Sequence, residues 1–409
     1  MSQRIKKLLT ISGAINYGAP GKIVEQTGLL AKENGYDVLV AHSSRNEGLS
    51  KLPHFPVTSK WEECVHALGA KLFDLHGLLS NKATRELIDK IEKYAPDVIH
   101  LHNIHGYFLN FKILFEYLGK IDIPVVWTLH DCWAFTGRCF HFEHIGCNKW
   151  QKYCYACKAE AGYTVSSICD KSSQLFKLKK ELFTSVPNLT LVPVSYWLEN
   201  HVKKSFLKDK RIEVIQNGID LKVFTPLDGN KLREKYGIVD KFVLLGVAAP
   251  FNKRKGLDDF IKLRQILPSD FVIVLIGLSP TQIKALPNGI IGLTRTNSQR
   301  DLAEFYSMAD IFCNLTYQDT FPTVNLEALA CGTPVFTYHT GGSPETIDKS
   351  TGIVVDTGDV EMLAEALIQY KNNPFISAQD CRKRAESYFN KDKQLMEYIN
   401  LYNKLLINQ

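Results

Sequence analysis

The sequence lacks an apolar run long enough to cross a membrane. After Arg4, Lys6 and Lys7 the first apolar stretch is only Leu8-Leu9-Thr10-Ile11, before polar and glycine residues. That is too short for a signal peptide, so a cytoplasmic protein is expected. The chain also lacks the G-x-G-x-x-G dinucleotide fingerprint and the P-loop spacing. No D-x-D pair is present, which argues against a catalytic divalent metal. With no recognition motif and no strongly basic tail, nucleic acid is not an expected partner. Disulfides are not implied either, because the ten cysteines of a cytosolic chain are expected to stay reduced.

What is present suits two globular domains. The chain has 409 residues, 45% hydrophobic and 22% charged, enough for substantial cores. The net charge of +6 is mild but uneven, with nine Lys or Arg against three Asp or Glu from Lys171 to Arg211. That stretch suits either a peripheral contact with an anionic membrane or a solvated helix face.

Strand and helix patterns alternate twice. In the first half, Lys7–Ala14, Asp37–His42, Asp97–His102 and Pro124–His130 read as strands, and Ile23–Asn34, Ala83–Tyr94 and Tyr107–Leu118 as helices. The pattern restarts after Asn188, with strands at Ile212–Gln216, Phe242–Ala248, Phe271–Ile276, Ile311–Leu315, Pro334–Tyr338 and Gly352–Val355. Continuous apolar strands separated by helices predict parallel sheets covered on both faces. Ligands of such sheets bind at the C-terminal strand ends, and two in series predict a cleft between domains.

The most informative stretch runs from Tyr317 to Pro334. Asp319 and Glu327 stand eight residues apart, with a loop running into a helix between them. Asp319 precedes the helix and Glu327 lies about one turn inside it. Unpaired backbone N–H groups near Thr323 make a helix N-terminal anion site, flanked by two acceptors that suit sugar hydroxyls. A nucleotide-sugar needs this combination.

This segment resembles the E-x7-E signature of family 4 glycosyltransferases, retaining enzymes of the GT-B fold. Asp319 stands where that family has Glu, and Pro322 where it has Gly; Glu327, Ala328, Ala330, Gly332, Thr333 and Pro334 match. The resemblance spans nearly the whole chain. It implies an α/β GT-B fold, with two Rossmann-like doubly wound domains facing a central cleft. The expected division is 1–195 for the acceptor side, 196–376 for the nucleotide-sugar side, and helices of 377–409 returning to the first domain. The implied activity moves a hexose from a nucleotide-diphosphate donor, a UDP-sugar, to a glycan or lipid-linked glycan in cell-surface polysaccharide biosynthesis. The protein would then work at the inner membrane face.

The resemblance also assigns residues. Lys255 matches the family's Lys before a Gly, while Ala249 and Pro250 occupy the region of its early Arg, so Lys253 or Arg254 is left to supply a second cation. Cations fixed there stabilise the growing charge of a diphosphate leaving group. Gly21, and after it Gly18, match the glycine loop over the donor phosphates. His130 ends a strand where the family places a histidine near the reacting sugar. Phe321, Thr323 and Val324 would line the donor, and Arg295 falls in the region expected to meet the base. No residue stands out as a carboxylate nucleophile. The family's same-face mechanism uses the leaving phosphate as base, so Asp319 and Glu327 would bind and position.

His102 and Asn103, beside His100 and His105, read as polar residues lining the acceptor pocket, with a metal pair as the alternative. Between residues 132 and 169, Cys139, Cys147, Cys154 and Cys157 give C-x7-C-x6-C-x2-C in a loop with little core of its own. Structural zinc suits that spacing; free thiols and disulfides are the alternatives. Two rival functions stand beside the transferase: a non-catalytic binding protein on the same scaffold, and a nucleotide-sugar epimerase or phosphorylase.

Overall fold

A computed structural model of the chain describes residues 4–157 and 169–407; part of the cysteine insert, 158–168, lies outside the described residues. The chain divides into two compact units, Met1–Ile215 with Leu395–Gln409, and Gln216–Gln394. The division therefore falls at 215/216 rather than 195/196. Only the last fifteen residues, not the whole of 377–409, join the first unit.

The first unit contains β1 (Lys6–Ser12), α1 (Gly18–Glu33), β2 (Tyr36–His42), β3 (His54–Pro56), α2 (Lys60–Phe73), α3 (Asn81–Tyr94) and β4 (Val98–Leu101). It continues with α4 (Phe111–Leu118), β5 (Val125–Leu129), α5 (Ser172–Ser185), β6 (Leu189–Pro193), α6 (Tyr196–Val202) and β7 (Arg211–Ile212). All seven strands are parallel, in the order β3-β2-β1-β4-β5-β6-β7. The order reverses between β1 and β4, and this is the switch point where doubly wound sheets bind ligands. Strands such as β5, Val-Val-Trp-Thr-Leu, are buried along their whole length, as a sheet covered on both faces requires.

Two expected elements shrink. The strand over Ile212–Gln216 is only the two-residue β7. The helix from Tyr107 starts at Phe111, because the Asn110 side chain accepts from Lys112 N at 2.9 Å and Ile113 N at 3.2 Å and so caps it. The cysteine insert also differs from a loop with little core. Trp133, Phe135, Phe142 and Trp150 are buried in the first unit's main cluster, and short 3-10 turns carry the chain between them.

The second unit contains α7 (Asn230–Tyr236), β8 (Phe242–Val247), α8 (Leu257–Ile266), β9 (Phe271–Ile276), α9 (Pro280–Lys284), β10 (Ile290–Leu293) and α10 (Gln299–Met308). After these come β11 (Ile311–Asn314), α11 (Thr323–Ala330), β12 (Val335–Tyr338), β13 (Gly352–Val355), α12 (Val360–Asn372) and α13 (Ala378–Tyr388). Its six parallel strands run β10-β9-β8-β11-β12-β13, reversing between β8 and β11. The last helix, α14 (Lys391–Ile407), begins in this unit and ends in the first.

Within the first unit α14 is tied to the sheet by a buried polar contact. Tyr402 Oη lies 2.6 Å from His100 Nδ1, while His100 Nε2 meets Thr128 Oγ1 at 2.8 Å. All three side chains are buried. Tyr402→Phe leaves a buried imidazole nitrogen unpaired and is expected to cost about 1–3 kcal/mol. Urea denaturation followed by tryptophan fluorescence checks this, and a change below about 0.5 kcal/mol would show that the contact contributes nothing.

Candidate functional site

In the second unit the chain leaves β8 and β11, the two strands at the switch point, through loops that are fastened together. The β8 loop makes a 3-10 turn at Lys253–Lys255, with Asn252 accepting from Lys255 N, and then enters α8. Tyr317 N, in the β11 loop, donates to Arg254 O at 2.8 Å. Tyr317 Oη and Tyr338 Oη both donate to Asp259 Oδ2, at 2.7 and 2.9 Å, which pins that loop to the first turn of α8. Gly256 has φ +74, and a Cβ there would stand 2.2 Å from Leu315 O; only glycine lets the two loops approach so closely.

The result is a contact across 64 residues of sequence. Lys255 Nζ donates to Asp319 Oδ2 at 2.8 Å, with both side chains about one fifth exposed. Beside it α11 begins at Thr323, and no side chain caps it. Glu327, one turn inside, accepts from Tyr306 Oη at 2.8 Å. Burial first, and the Glu327 charge second, hold that tyrosine protonated, so it orients the carboxylate as a donor. A buried amide ladder, Asn314 Nδ2 to Asn325 Oδ1 at 2.8 Å and Asn325 Nδ2 to Thr346 Oγ1 at 2.9 Å, fixes the start of the helix. Phe321 is buried, and Val324 and Thr323 are half-buried.

Other expected residues are placed differently. Lys253 and Arg254 are exposed, and Arg254 contributes its carbonyl to the loop. Arg295 is exposed after β10, and among the described residues no hydrogen bond ties it to Lys255, Asp319 or Glu327. Tyr306, Tyr317, Tyr338 and Asp259 carry no motif in the sequence; only the packing of distant elements reveals them.

In the first unit the corresponding strand ends gather histidines. His102 follows β4 and His130 follows β5, and their rings stack with Nδ1 of one 3.1 Å from Nε2 of the other. Burial holds His130 down at about 4 and His102 well below its ordinary value. Both rings are therefore neutral at neutral pH and act as hydrogen-bonding groups rather than acids. His102 Nε2 is buried and meets no partner among the described residues. His105 Nε2 lies 2.7 Å from Asp131 Oδ2. Burial pushes the Asp131 carboxyl up, but His105 and the Trp133 N–H outweigh this and bring it below the usual range.

Across the switch point, a Cβ on Gly13 would stand 2.7 Å from Asn103 O, so the β1 and β4 ends are packed together. Of the loop glycines, Gly21 is buried in α1, and a Cβ there would stand 3.1 Å from Ala14 Cβ. Gly18, at φ +63, has open space in front of it.

The insert brings Cys139, Cys147, Cys154 and Cys157 to the wall of one pocket of about 470 Å³. Cys139 Sγ and Cys157 Sγ are 3.9 Å apart. No disulfide joins any of the ten cysteines; Cys313, Cys331 and Cys381 are buried, whereas Cys64 is exposed. Of the basic stretch, Lys179 is buried and Lys203 is paired with Glu199, whereas Lys177, Lys180, Lys204 and Lys208 are exposed.

Two doubly wound parallel sheets in series, each with polar side chains collected at its switch point, are the architecture of the GT-B fold. The sequence model described as Glycosyltransferase Family 4 matches residues 23–223, and that described as Glycosyl transferases group 1 matches residues 228–388. The chain belongs to glycosyltransferase family 4 and is a hexosyltransferase. It is 27% identical to WcaC of Escherichia coli (strain K12), named as a colanic acid biosynthesis glycosyl transferase, over 78% of this chain and 80% of that one. It is 28% identical to the capsular polysaccharide biosynthesis glycosyltransferase CapM of Staphylococcus aureus, over 53% of this chain and 62% of that one. Among solved structures, Anabaena HepE in complex with UDP aligns with a TM-score of 0.68, 17% identity, 98% of this chain and 100% of that one. At that identity the likeness shows the fold alone. No helix among the described residues is long and apolar enough to cross a membrane.

Proposed function

We propose that this chain transfers a hexose from a UDP-sugar, with retention at the anomeric carbon, to a glycan or lipid-linked glycan acceptor in cell-surface polysaccharide biosynthesis. The observation that carries the reading is the Lys255–Asp319 contact at the ends of β8 and β11, beside the uncapped start of α11. Lys255 and the N–H groups of α11 suit the diphosphate, whose charge grows as it leaves. Asp319 and Glu327 suit sugar hydroxyls, with Tyr306 holding the second carboxylate in place. The names of WcaC and CapM support polysaccharide synthesis, and the UDP and UDP-glucose complexes of HepE support the donor. His102 and His130, neutral and stacked, suit hydrogen bonding to a sugar. For a lipid-linked acceptor the exposed Lys177, Lys180, Lys204 and Lys208 would add attraction to an anionic surface, about 1 kcal/mol per cation.

Thermal unfolding with UDP, GDP, ADP and CMP tests the donor side. A nucleotide at about one hundred times its dissociation constant adds roughly 2.7 kcal/mol. UDP is expected to raise the midpoint, and Glu327→Ala to weaken the effect by about ten- to a hundredfold in affinity, since a charged hydrogen bond is worth about 1.5–3 kcal/mol. A rise with GDP alone would overturn the UDP assignment. No rise with any of the four would sink the donor site itself.

A further inference from the structure

We propose that Cys139, Cys147, Cys154 and Cys157 bind one structural zinc ion as thiolates. The four sulfurs come from a short span and line one pocket, whose wall includes Trp150 and Tyr155. The Cys139–Cys157 separation of 3.9 Å already matches the sulfur–sulfur edge of about 3.8 Å that a tetrahedral site with 2.3 Å zinc–sulfur bonds requires. It is far from the roughly 2.05 Å of a disulfide. The backbone is bent to make this approach: Gly146 at φ +58 precedes Cys147, and Ala156 at φ +41 precedes Cys157. Alanine seldom adopts that conformation unless something beyond the turn holds it.

Two polar groups face the sulfurs: Gly137 N donates to Cys154 Sγ at 3.2 Å, and the Arg138 charge acts on Cys157. Such donors steady metal-bound thiolates. Arg138 also reaches Asp74 at 3.0 Å and Asp170 at 3.7 Å, so its charge is shared. Four thiolates on Zn(II) leave a net charge of −2, which Arg138 offsets in part.

The one group among the described residues whose three ligand atoms already lie within 4.8 Å of one another is His42, Glu47 and His54. It is a weaker site. His42 has both ring nitrogens engaged, with Ser43 O at 2.9 Å and His54 Nδ1 at 3.0 Å. In the cysteine pocket no three sulfurs lie within 4.8 Å of one another, so metal binding must draw them closer.

The test is metal content by mass spectrometry of the full chain, purified without a metal-binding tag and in the absence of chelators. One zinc per chain is expected. It should be retained in His54→Gln and lost in Cys147→Ser and Cys157→Ser. Folding of those variants need not be assumed, because cobalt exchange of the native protein gives an independent readout. Tetrahedral thiolate coordination shows intense visible bands with sulfur-to-cobalt charge transfer. Protein free of metal, iron in place of zinc, zinc lost in His54→Gln, or a Cys139–Cys157 disulfide found by mass would each overturn the assignment.

Discussion

Lys255→Ala is expected to lower kcat by about 10²–10³-fold, the effect of removing one fixed charge from a developing anion, or about 2.7–4 kcal/mol. The loss should fall on kcat more than KM, because the diphosphate carries more charge when leaving than when bound. Folding should hardly change. Lys255 and Asp319 are partly solvated, and such pairs contribute about 0–1 kcal/mol. Lys255→Arg should restore part of the rate, since it keeps the charge but not the reach. Steady-state kinetics with the donor identified by thermal shift, beside a melting curve of each variant, makes the comparison. A rate within threefold of the parent would remove Lys255 from the chemistry. A melting point that drops with the rate would mark it as structural.

Acid is expected to unfold the first unit well before the second. His66, His76, His100 and His102 are all buried there. Burial holds His66 at about 4, His100 at about 3, and His76 and His102 well below their ordinary value. In the unfolded chain each takes up a proton near pH 6.5. The unfolded state therefore binds more protons than the native one between about pH 6.5 and 4, and stability falls as pH falls through that window. Each group contributes about 1.4 kcal/mol per pH unit, so four contribute roughly 5. Two pH units would then remove stability comparable to the 5–15 kcal/mol of a typical domain. The second unit has one histidine, His339. All five tryptophans, Trp61, Trp127, Trp133, Trp150 and Trp197, lie in the first unit. Tryptophan fluorescence thus reports that unit alone. Urea midpoints by fluorescence should drop sharply from pH 7.5 to pH 5, ahead of the loss of helix signal from the second unit. A fluorescence midpoint that stays constant over this range would refute the burial argument.

Local chemistry was readable along the chain. The apolar blocks of β5 and β9 announce buried parallel strands, because such runs have no other use in a soluble α/β domain. The Asp319 to Glu327 spacing marks a loop entering a helix, because a turn and one helical repeat are short-range events. The cysteine spacing and the strand-end position of His130 were legible for the same reason.

What the sequence alone determined is most of the strands, though not β3, β6 or β10, their parallel class, the family, and which polar residues end the strands. The tertiary structure decided which of those residues meet. Lys255 reaches Asp319 because β8 pairs with β11 rather than with its successor in the chain alone, and His102 reaches His130 because β4 pairs with β5. It turned the insert's aromatics into core and buried Lys179 over the Trp133 ring. It also found Tyr306, Tyr317, Tyr338 and Asp259, which hold the carboxylates and loops in place. The physical reason is range. Helical and strand periodicity depends on residues a few positions apart, whereas strand order and side-chain burial are set by pairings between segments tens to hundreds of residues apart, which no local pattern encodes.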